Sequence, residues 1–564
     1  MKQLVLLFFI GLLAIQCTKT NQKKEPVTGT VAENAMVVSA RKEASNIGIE
    51  ILKKGGNAFD AMIATELSLA VAYPFAGNIG GGGFMVFRTN NGETGALDYR
   101  EKAPLAASKN MYLDEQDNII PGKSTLGAMA IGVPGTIDGL FKVHEKFGSL
   151  PFSELIQPAI DLAYKGVAVT KKQENRLNKY RHYFLEVNKS PIIFDKHWKE
   201  NDTIKYLALA KTLERIRDNG RDGFYKGETA EQLVKTVKIL GGIITKEDLE
   251  KYKAIWRKPI EFTYKNLKII AMSPPSSGGV CSAQIFKALE PFNIASLGHN
   301  SLKAIQLITE AERRAYADRS FYLGDPDFVK IPIDTLISTT YVSKRMANFS
   351  WEKATSSKDI NHGNIIGYES DETTHYSIID QFGNAISATT TLNGAYGSKV
   401  FVTEGGFLLN NEMDDFSSKP GEPNMFGLIG AEANSIKPEK RMLSSMTPTI
   451  VEKDNKLFMS LGSPGGSTII TSVMQTILNV YEFNLSMQEA VNAPRFHHQW
   501  LPDVITLEPK GFAKDLVLQL QEKGYQINQE NSRIIGKVDA IKVLENGKLE
   551  GGADYRGDDA AVGY

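Results

Sequence analysis

Cysteine, net charge and long apolar runs are all scarce in this 564-residue chain. Cys17 and Cys281 are the two cysteines, so a fold held together by several disulfides is excluded. Lys and Arg together number 65, as do Asp and Glu, and this balance gives no support to nucleic-acid binding. No segment reaches the roughly 20 apolar residues that a membrane-spanning helix needs. With 42% hydrophobic and 23% charged residues, the composition is that of an ordinary globular protein.

The N-terminus has the pattern of an export signal. A basic residue precedes an apolar run over residues 4–15, which is too short to span a membrane and ends near Cys17. A cysteine at this place resembles the lipidation site of a bacterial lipoprotein, although Gln16 departs from the usual small residue before it. We expect residues 1–17 to be a signal peptide with Cys17 lipidated, residues 18–34 to be a polar tether, and the protein to be exported to the periplasm or cell envelope. Cleavage without lipidation is the alternative.

The first part of the chain has helical patterns. Apolar periodicity predicts helices over residues 42–54 and 58–71, each burying one face, and Asn57 is suited to be the N-cap of the second. A further helix is predicted over residues 302–322, with Ser301 as its N-cap.

Strand patterns are concentrated elsewhere. The glycine-rich GNIGGGG, residues 77–83, leads into an alternating segment typical of a strand. From Thr373 onward, short alternating runs are separated by polar and glycine-rich turns. Helices followed by strands predict a layered α+β fold.

The segment GYESDETTHYSIID, residues 367–380, places two threonines between a run of carboxylates and an alternating apolar stretch. A strand threonine usually reflects the fit of a β-branched side chain to a pleated surface. His375 is most simply a hydrogen-bonded core histidine, because no second metal ligand lies at a useful spacing.

Thr373 has a second interpretation, as a nucleophile. A hydroxyl needs a base, and the α-amine of the same residue can serve if that residue is a chain end. Such an amine has a pKa of about 7.7 to 8.0, close to working pH. This chemistry requires a cut between Glu372 and Thr373. An acidic segment followed by a strand start would present that peptide bond to the Thr373 hydroxyl.

Motifs along most of the chain resemble those of the γ-glutamyltranspeptidase family. Each motif is weak alone, but together they follow the family's order from about Ala35 to Tyr564. They are GNIGGGGFMVFR, LDYREKAP, GVPG, PPSSGG, EAERRAYADR, DETTHYS, TTTLN, NNEMDDF, KRMLSSMTPTIV, GSPGGS and DYRGDDAAVGY. The family consists of N-terminal-nucleophile hydrolases that cleave themselves. The resemblance implies a four-layer αββα sandwich formed jointly by a large subunit, residues 35–372, and a small subunit, residues 373–564.

A γ-glutamyl donor carries an α-carboxylate and an α-ammonium at one end. Arg100 in LDYREKAP offers a guanidinium fork suited to the carboxylate, and the resemblance assigns it that role. Ser444 and Ser445 match family hydroxyls that hold the same group. Without the resemblance, the arginine would be taken for a surface ion pair and the serines for a turn.

The ammonium and the reacting carbonyl have their own matches. Glu412 and Asp415 in NNEMDDF correspond to the family's acidic pair for the ammonium, with Asn393 as a further polar contact. Three matches concern the reacting carbonyl and the nucleophile. They are Gly465 and Gly466, for the oxyanion hole, and Thr391, for a hydroxyl that bonds the nucleophile and its amine.

The resemblance implies a two-step transfer. The Thr373 hydroxyl attacks the γ-carbonyl of glutathione or another γ-glutamyl compound, expels the amine and forms a γ-glutamyl ester. Water, an amino acid or a dipeptide then accepts the group. No metal or organic cofactor is expected, and the expected protein partner is the other subunit from the same precursor.

Two departures and two alternatives stand beside this interpretation. Within the segment that resembles the family's lid, Phe426 replaces a tyrosine that bonds the equivalent of Asn393, and Met442 replaces a proline. We expect a looser lid and a shifted balance between water and amine acceptors.

One alternative is a glutaryl or cephalosporin acylase, or a poly-γ-glutamate-processing enzyme, on the same scaffold. The other is a non-catalytic surface lipoprotein that binds such compounds, although a binding protein needs no nucleophile.

Overall fold

A computed structural model describes residues 27–360, 373–530 and 532–564. The predicted signal peptide with Cys17, most of the predicted tether, and Glu372 on one side of the predicted cut lie outside these residues. Within the described ranges, no helix combines the length and the apolar character that crossing a membrane requires.

The α-helices of the described residues are spread over both parts of the chain. Their bounds are α1 Lys42–Lys53, α2 Ala58–Ala72, α3 Thr136–Phe147, α4 Phe152–Lys165, α5 Lys171–Val187, α6 Leu207–Asn219, α7 Asp222–Tyr225, α8 Gly227–Ile239, α9 Lys246–Lys251, α10 Gly278–Leu289, α11 Ile294–Leu297, α12 Leu302–Tyr322, α13 Ile333–Leu336, α14 Thr339–Met346, α15 Ile469–Tyr481, α16 Met487–Asn492 and α17 Lys514–Glu522.

The strands also come from both parts. Their bounds are β1 Thr30–Ala32, β2 Met36–Ser39, β3 Gly82–Arg88, β4 Thr94–Asp98, β5 Val167–Ala168, β6 Thr203–Ile204, β7 Ile255–Arg257, β8 Ile260–Tyr264, β9 Leu267–Ala271, β10 Thr374–Ile379, β11 Ala385–Thr391, β12 Phe401–Val402, β13 Phe407–Leu408, β14 Thr449–Lys453, β15 Lys456–Gly462, β16 Phe496–His497, β17 Ile505–Leu507, β18 Ile527–Asn528, β19 Asp539–Val543, β20 Leu549–Gly552 and β21 Ala560–Gly563.

Two seven-stranded antiparallel sheets form the centre of the molecule. Sheet I has the strand order β21-β2-β10-β11-β3-β4-β7, and sheet II has the order β1-β20-β19-β15-β14-β9-β8. Each sheet therefore combines strands from before and after Thr373. The expectation that helices come first and strands later is wrong in this respect, because early strands pair with late ones and α15 to α17 lie among the late strands.

The two sheets face each other through β10, β11, β14, β15 and β19. Small polar side chains join them: Ser387 Oγ donates to Leu461 O at 2.8 Å, and Ser460 Oγ donates to Ile386 O at 2.7 Å. Helices α1, α2 and α3 contact strands of sheet I, whereas α10, α15 and α16 contact strands of sheet II. This mixture of helices with antiparallel sheets is an α+β fold, and it places the head of β10 deep inside the molecule.

Local signals predicted the helix starts well. The Asn57 side chain accepts hydrogen bonds from Phe59 N and Asp60 N at 2.9 and 3.0 Å, and Ser301 Oγ accepts one from Ala304 N at 3.2 Å, so both N-caps are confirmed. The prediction that α2 buries one face is wrong, because all 15 of its residues are buried. Its sequence is apolar on every side, which suits a helix packed between sheet I and other helices.

Candidate active site

Thr373 lies at the head of β10 and is only 5% exposed. The antiparallel register places Thr374 opposite Thr390, so the next pair along the ladder is Thr373 and Thr391. Thr391 is buried, and its Oγ1 accepts a hydrogen bond from Asn393 N at 2.7 Å. The fold thus holds the predicted nucleophile and the predicted supporting hydroxyl on neighbouring strands.

The glycine pair follows β15 at the turn into α15. The φ angles of Gly465 and Gly466 are +136° and +52°. A Cβ on Gly465 would lie 2.4 Å from Thr468 Oγ1, and one on Gly466 would lie 2.5 Å from a ring carbon of Phe426. Both positions therefore need glycine. Gly465 and Thr373 line one cavity of about 220 Å³, so the turn and the predicted nucleophile share a site.

A buried charge cluster brings together residues far apart in sequence. Arg100, two residues after the end of β4, forms ion pairs with Glu412 and Asp415, which lie on a 3₁₀ turn. Burial raises the pKa of both carboxyls, while the charge of Arg100 opposes that effect. The predicted carboxylate and ammonium clamps therefore lie within ion-pair distance of each other, and they are linked as one unit.

The serine pair is held against the same arginine. Arg100 Nε and Nη2 approach the carbonyl oxygens of Met442 and Leu443 at 3.4 Å each, directly before Ser444. The Ser444 carbonyl accepts hydrogen bonds from Ser277 N at 2.8 Å and from Ser277 Oγ at 2.7 Å. Ser445 Oγ accepts a hydrogen bond from Nη2 of Arg319 in α12 at 3.1 Å. Every predicted binding side chain except Asn393 thus lies on this cluster or on a segment bonded to it.

Asn393 and Phe426 connect the two parts of the site. Asn393 has a φ of +70°, and its Nδ2 donates to Asn411 O at 3.1 Å, one residue before Glu412. Phe426 is 3% exposed, and its ring packs against Gly466. The Phe426 ring therefore forms an apolar wall against the predicted oxyanion hole. The looser lid stays a prediction.

Sequence reasoning missed three residues at this site. Arg319 and Ser277 lie in the motifs EAERRAYADR and PPSSGG, which carried the resemblance but suggested no roles. Glu101, next to Arg100, is fully buried. The pKa of Glu101 is raised to about 8, chiefly by burial; the charge of Arg100 opposes this rise, and Asp415 and Asp98 add to it. All three residues lie within motifs that carried the resemblance, and this position could have marked them as candidates.

His375 is buried between the sheets. Its Nδ1 bonds Thr389 Oγ1 at 2.9 Å and its Nε2 bonds Ser377 Oγ at 3.1 Å. Burial holds the pKa of His375 well below its usual value, so the ring is neutral. Its interpretation as a hydrogen-bonded core histidine is confirmed. In the ranges that the structure covers, no group of three or more His, Cys, Asp or Glu side chains is arranged to hold a metal ion.

Comparison with solved structures first shows the fold. A cephalosporin acylase from Bacillus halodurans matches with a TM-score of 0.85 at 24% identity, covering 97% of this chain and 98% of the other. The γ-glutamyltranspeptidase of Helicobacter pylori matches with a TM-score of 0.57 at 44% identity, covering 60% of this chain and 97% of the other.

Sequence comparison then shows the family. A glutathione hydrolase proenzyme from Escherichia coli (strain K12) is 46% identical over 538 residues, which are 94% of this chain and 92% of the relative. Another proenzyme of that description, from Pseudomonas aeruginosa, is 43% identical over 533 residues, which are 93% and 94% of the two chains. Residues 44–564 match the sequence profile described as Gamma-glutamyltranspeptidase. This chain therefore belongs to the γ-glutamyltranspeptidase family.

Proposed function

We propose that the protein is a self-processing γ-glutamyltranspeptidase and glutathione hydrolase with Thr373 as its nucleophile. The observation that carries the proposal is the position of Thr373 at the head of a buried strand, sharing a cavity with Gly465, in a chain of this family. The glutathione hydrolase proenzymes that are 43% and 46% identical to this chain support the same activity.

Self-cleavage comes first in this scheme. The Thr373 hydroxyl attacks the carbonyl carbon of Glu372, and the peptide nitrogen leaves, so the acyl group moves from nitrogen to oxygen as an ester. Water hydrolyses that ester, and this step frees the Glu372 carboxylate, the Thr373 hydroxyl and the Thr373 α-amine. The new amine then supplies the base that the hydroxyl lacked.

Transfer of the γ-glutamyl group uses the same hydroxyl. The α-amine takes the hydroxyl proton as Thr373 Oγ attacks the γ-carbonyl, and it then returns the proton to the departing amine. The backbone N–H groups of Gly465 and Gly466 would face the developing oxyanion. Water hydrolyses the resulting γ-glutamyl ester to glutamate, or the amine of an amino acid or dipeptide forms a new γ-glutamyl amide.

The charge cluster suits the free amino-acid end of the donor. Arg100 would bind the α-carboxylate together with Ser444 and Ser445, and Glu412 and Asp415 would bind the α-ammonium. A zwitterionic end would exchange the internal ion pairs for equivalent pairs with the substrate, so the charge of the site would not change. A glutaryl donor lacks the ammonium and would leave the acidic pair without that partner, and for this reason the acylase alternative has less support.

We further propose that residues 35–372 and 373–564 remain together as subunits of a four-layer αββα sandwich. The supporting observation is that β10 and β11 lie between β2 and β3 in sheet I, while sheet II combines β1, β8 and β9 with four later strands. Backbone hydrogen bonds would therefore cross the subunit boundary throughout both sheets. Export, with lipid on Cys17, is proposed from the N-terminal pattern alone.

Self-cleavage is tested on a denaturing gel. The wild-type chain should run as bands of about two-thirds and one-third of the precursor, the smaller beginning Thr-Thr-His, whereas Thr373→Ala should run as one band. Thr374→Ala is the matched control, because it removes the neighbouring buried hydroxyl and should still give both bands. The activity is tested with a γ-glutamyl anilide, with and without a dipeptide acceptor. An intact polypeptide that releases glutamate at full speed would contradict the mechanism.

A further inference from the structure

Three buried arginines of α12 differ in how their charges are balanced. Arg313 forms an ion pair with Asp503, and Arg314 forms one with Glu310 at 2.6 Å. Arg319, only 3% exposed, forms an ion pair with no carboxylate in residues 27–360, 373–530 and 532–564. Burying a charge without a counterion is costly, so an unbalanced guanidinium in the interior needs a reason.

The partners of Arg319 indicate that reason. Its Nε donates to Ser277 Oγ at 2.9 Å, and its Nη2 donates to Ser445 Oγ at 3.1 Å. Ser277 in turn donates to the carbonyl oxygen of Ser444 through both its hydroxyl and its backbone N–H. Within the described ranges, the guanidinium therefore hydrogen-bonds to neutral hydroxyls only, and both belong to the segments that hold the serine pair.

The hydroxyl groups of that pair are oriented by what they accept. Ser445 Oγ accepts from Arg319, and Ser444 Oγ accepts from Met446 N at 3.1 Å. Arginine and backbone N–H groups can only donate, so each serine must point its own proton elsewhere. Among the described residues, no carbonyl or carboxylate accepts either proton. Two adjacent serines thus each keep a proton to donate, and a buried positive charge is bonded to one of them, which is an arrangement that fits an anion.

We propose that Arg319 is a second cationic residue for the substrate α-carboxylate, acting through Ser445. By occupying a lone pair of Ser445 Oγ, it directs the serine proton toward the carboxylate that Arg100 binds from the other side. Its charge also supplies the positive potential that a buried carboxylate needs. This role is a positioning role, and it rests on the proposed function.

The charge balance of the site agrees with this role. Glu412 and Asp415 bring two negative charges, and Arg100 supplies one positive charge. Glu101 is largely protonated near neutral pH, because its pKa is raised to about 8. Arg319 lies beyond ion-pair distance of Asp415, yet its charge lowers the pKa of that carboxyl. If both acids are ionised, the positive charges of Arg100 and Arg319 balance their two negative charges.

The test separates the carboxylate from the ammonium. Purified, self-cleaved Arg319→Gln enzyme is compared with wild type for turnover of a γ-glutamyl anilide and for inhibition by L-glutamate, glutarate and 4-aminobutanoate. Glutarate lacks the ammonium, and 4-aminobutanoate lacks the α-carboxylate. We expect KM, and the inhibition constants of glutamate and glutarate, to rise by about 10- to 100-fold, as for loss of a hydrogen bond involving a charged group. The constant for 4-aminobutanoate should not change, and kcat should change little.

Two further variants keep the outcome decisive if Arg319→Gln fails to self-cleave. Arg319→Lys keeps the charge and loses the fork, so KM should rise while the acid limb of kcat/KM stays in place. In Arg319→Gln that limb should move to higher pH, because Asp415 would lose a nearby positive charge. Ser277→Ala removes one acceptor and should raise the same constants by a smaller factor.

The outcomes also distinguish this proposal from the proposed function. Wild-type enzyme that does not turn over the γ-glutamyl anilide would refute the function itself. If the wild type is active and the Arg319 variants raise the inhibition constants of all three inhibitors equally, or raise none of them, only the role of Arg319 is refuted. Weaker inhibition by glutamate and glutarate, with unchanged inhibition by 4-aminobutanoate, would support that role.

Discussion

The nucleophile end and the charged end of the site are built in opposite ways. Thr373 lies directly before β10 and Thr391 at the end of the neighbouring β11, and Thr373 shares a cavity with a glycine turn, so this end consists of hydroxyl groups and backbone N–H groups. The charged end joins Arg100 to acids 312 and 315 residues later in the chain. The first end depends on backbone geometry and the second on the balance of buried charges. Substitutions at the first end should therefore affect turnover, and substitutions at the second should affect both kcat/KM and stability.

The largest effect is expected from removing the charge at the centre of the charged end. Arg100→Met should lower kcat/KM by about 10³-fold, because Glu412 and Asp415 would remain buried without their partner. The free energy of unfolding should fall by about 3 to 5 kcal/mol. Steady-state kinetics and denaturant titration measure the two effects. Arg100→Lys serves as the control that keeps the charge and loses the fork, and wild-type kinetics in Arg100→Met would contradict the assignment.

A smaller effect, confined to turnover, is expected at the nucleophile end. Gly466→Ala should lower kcat by about 10² to 10³-fold with little change in KM, because a displaced N–H no longer meets the oxyanion. The added Cβ would meet the Phe426 ring, so the double variant with Phe426→Ala should recover part of the loss. A rise in KM with unchanged kcat would place this glycine in binding instead.

A buried carboxyl beneath the nucleophile strands gives a pH test. The pKa of Glu66 is raised from 4.5 to about 7, because the effect of burial exceeds the opposing effect of the Thr390 and Tyr376 hydroxyls. The folded state therefore holds a proton that the unfolded state releases, so this contribution to stability is full below pH 4.5 and is lost as pH rises to about 7. The loss is about 3 kcal/mol.

Glu66→Gln removes that titration. The variant should lose this part of the pH dependence of unfolding and should gain stability relative to wild type above pH 7, with self-cleavage retained. Denaturant titrations at several pH values measure the difference. Parallel pH profiles for the variant and the wild type would show that Glu66 is not the group responsible.

The smallest effect is expected where the two ends meet. Phe426→Tyr restores a hydroxyl on the ring that packs against Gly466, near Asn393. We expect the ratio of transfer to hydrolysis to change by a few-fold, as for a single neutral hydrogen bond. Product analysis with and without a dipeptide acceptor gives the ratio, and an unchanged ratio would count against the idea of a looser lid.

Local signals allowed the helix starts to be predicted, and they also marked Thr373 as the candidate nucleophile. Asn57 and Ser301 are N-caps because a side-chain oxygen there reaches the next backbone N–H groups, and this geometry depends on a few neighbouring residues. Thr373 could be singled out for a similar reason, since the segment that carries its chemistry is contiguous. The complete burial of α2 depends on long-range packing, which its own periodicity does not report.

Charge pairing could not be predicted in this way. The sequence assigned Arg100 and the acids to different groups of one substrate, but it could not show that these side chains also pair with each other. Arg319 and Ser277 escaped notice because their contacts to the serine pair span 126 and 167 residues. Family motifs marked the right segments, and the fold was needed to show which side chains within them meet.

The interleaved order of sheet I constrains how the protein can be made. Translated alone, the segment before Thr373 would lack the two strands that separate β2 from β3, and the segment after it would expose β10 and β11 without neighbours. Unpaired strand edges recruit other chains and lead to aggregation. Separate expression of the two pieces should therefore give inclusion bodies, and the proposed cut before Thr373 would have to follow the folding of one continuous polypeptide.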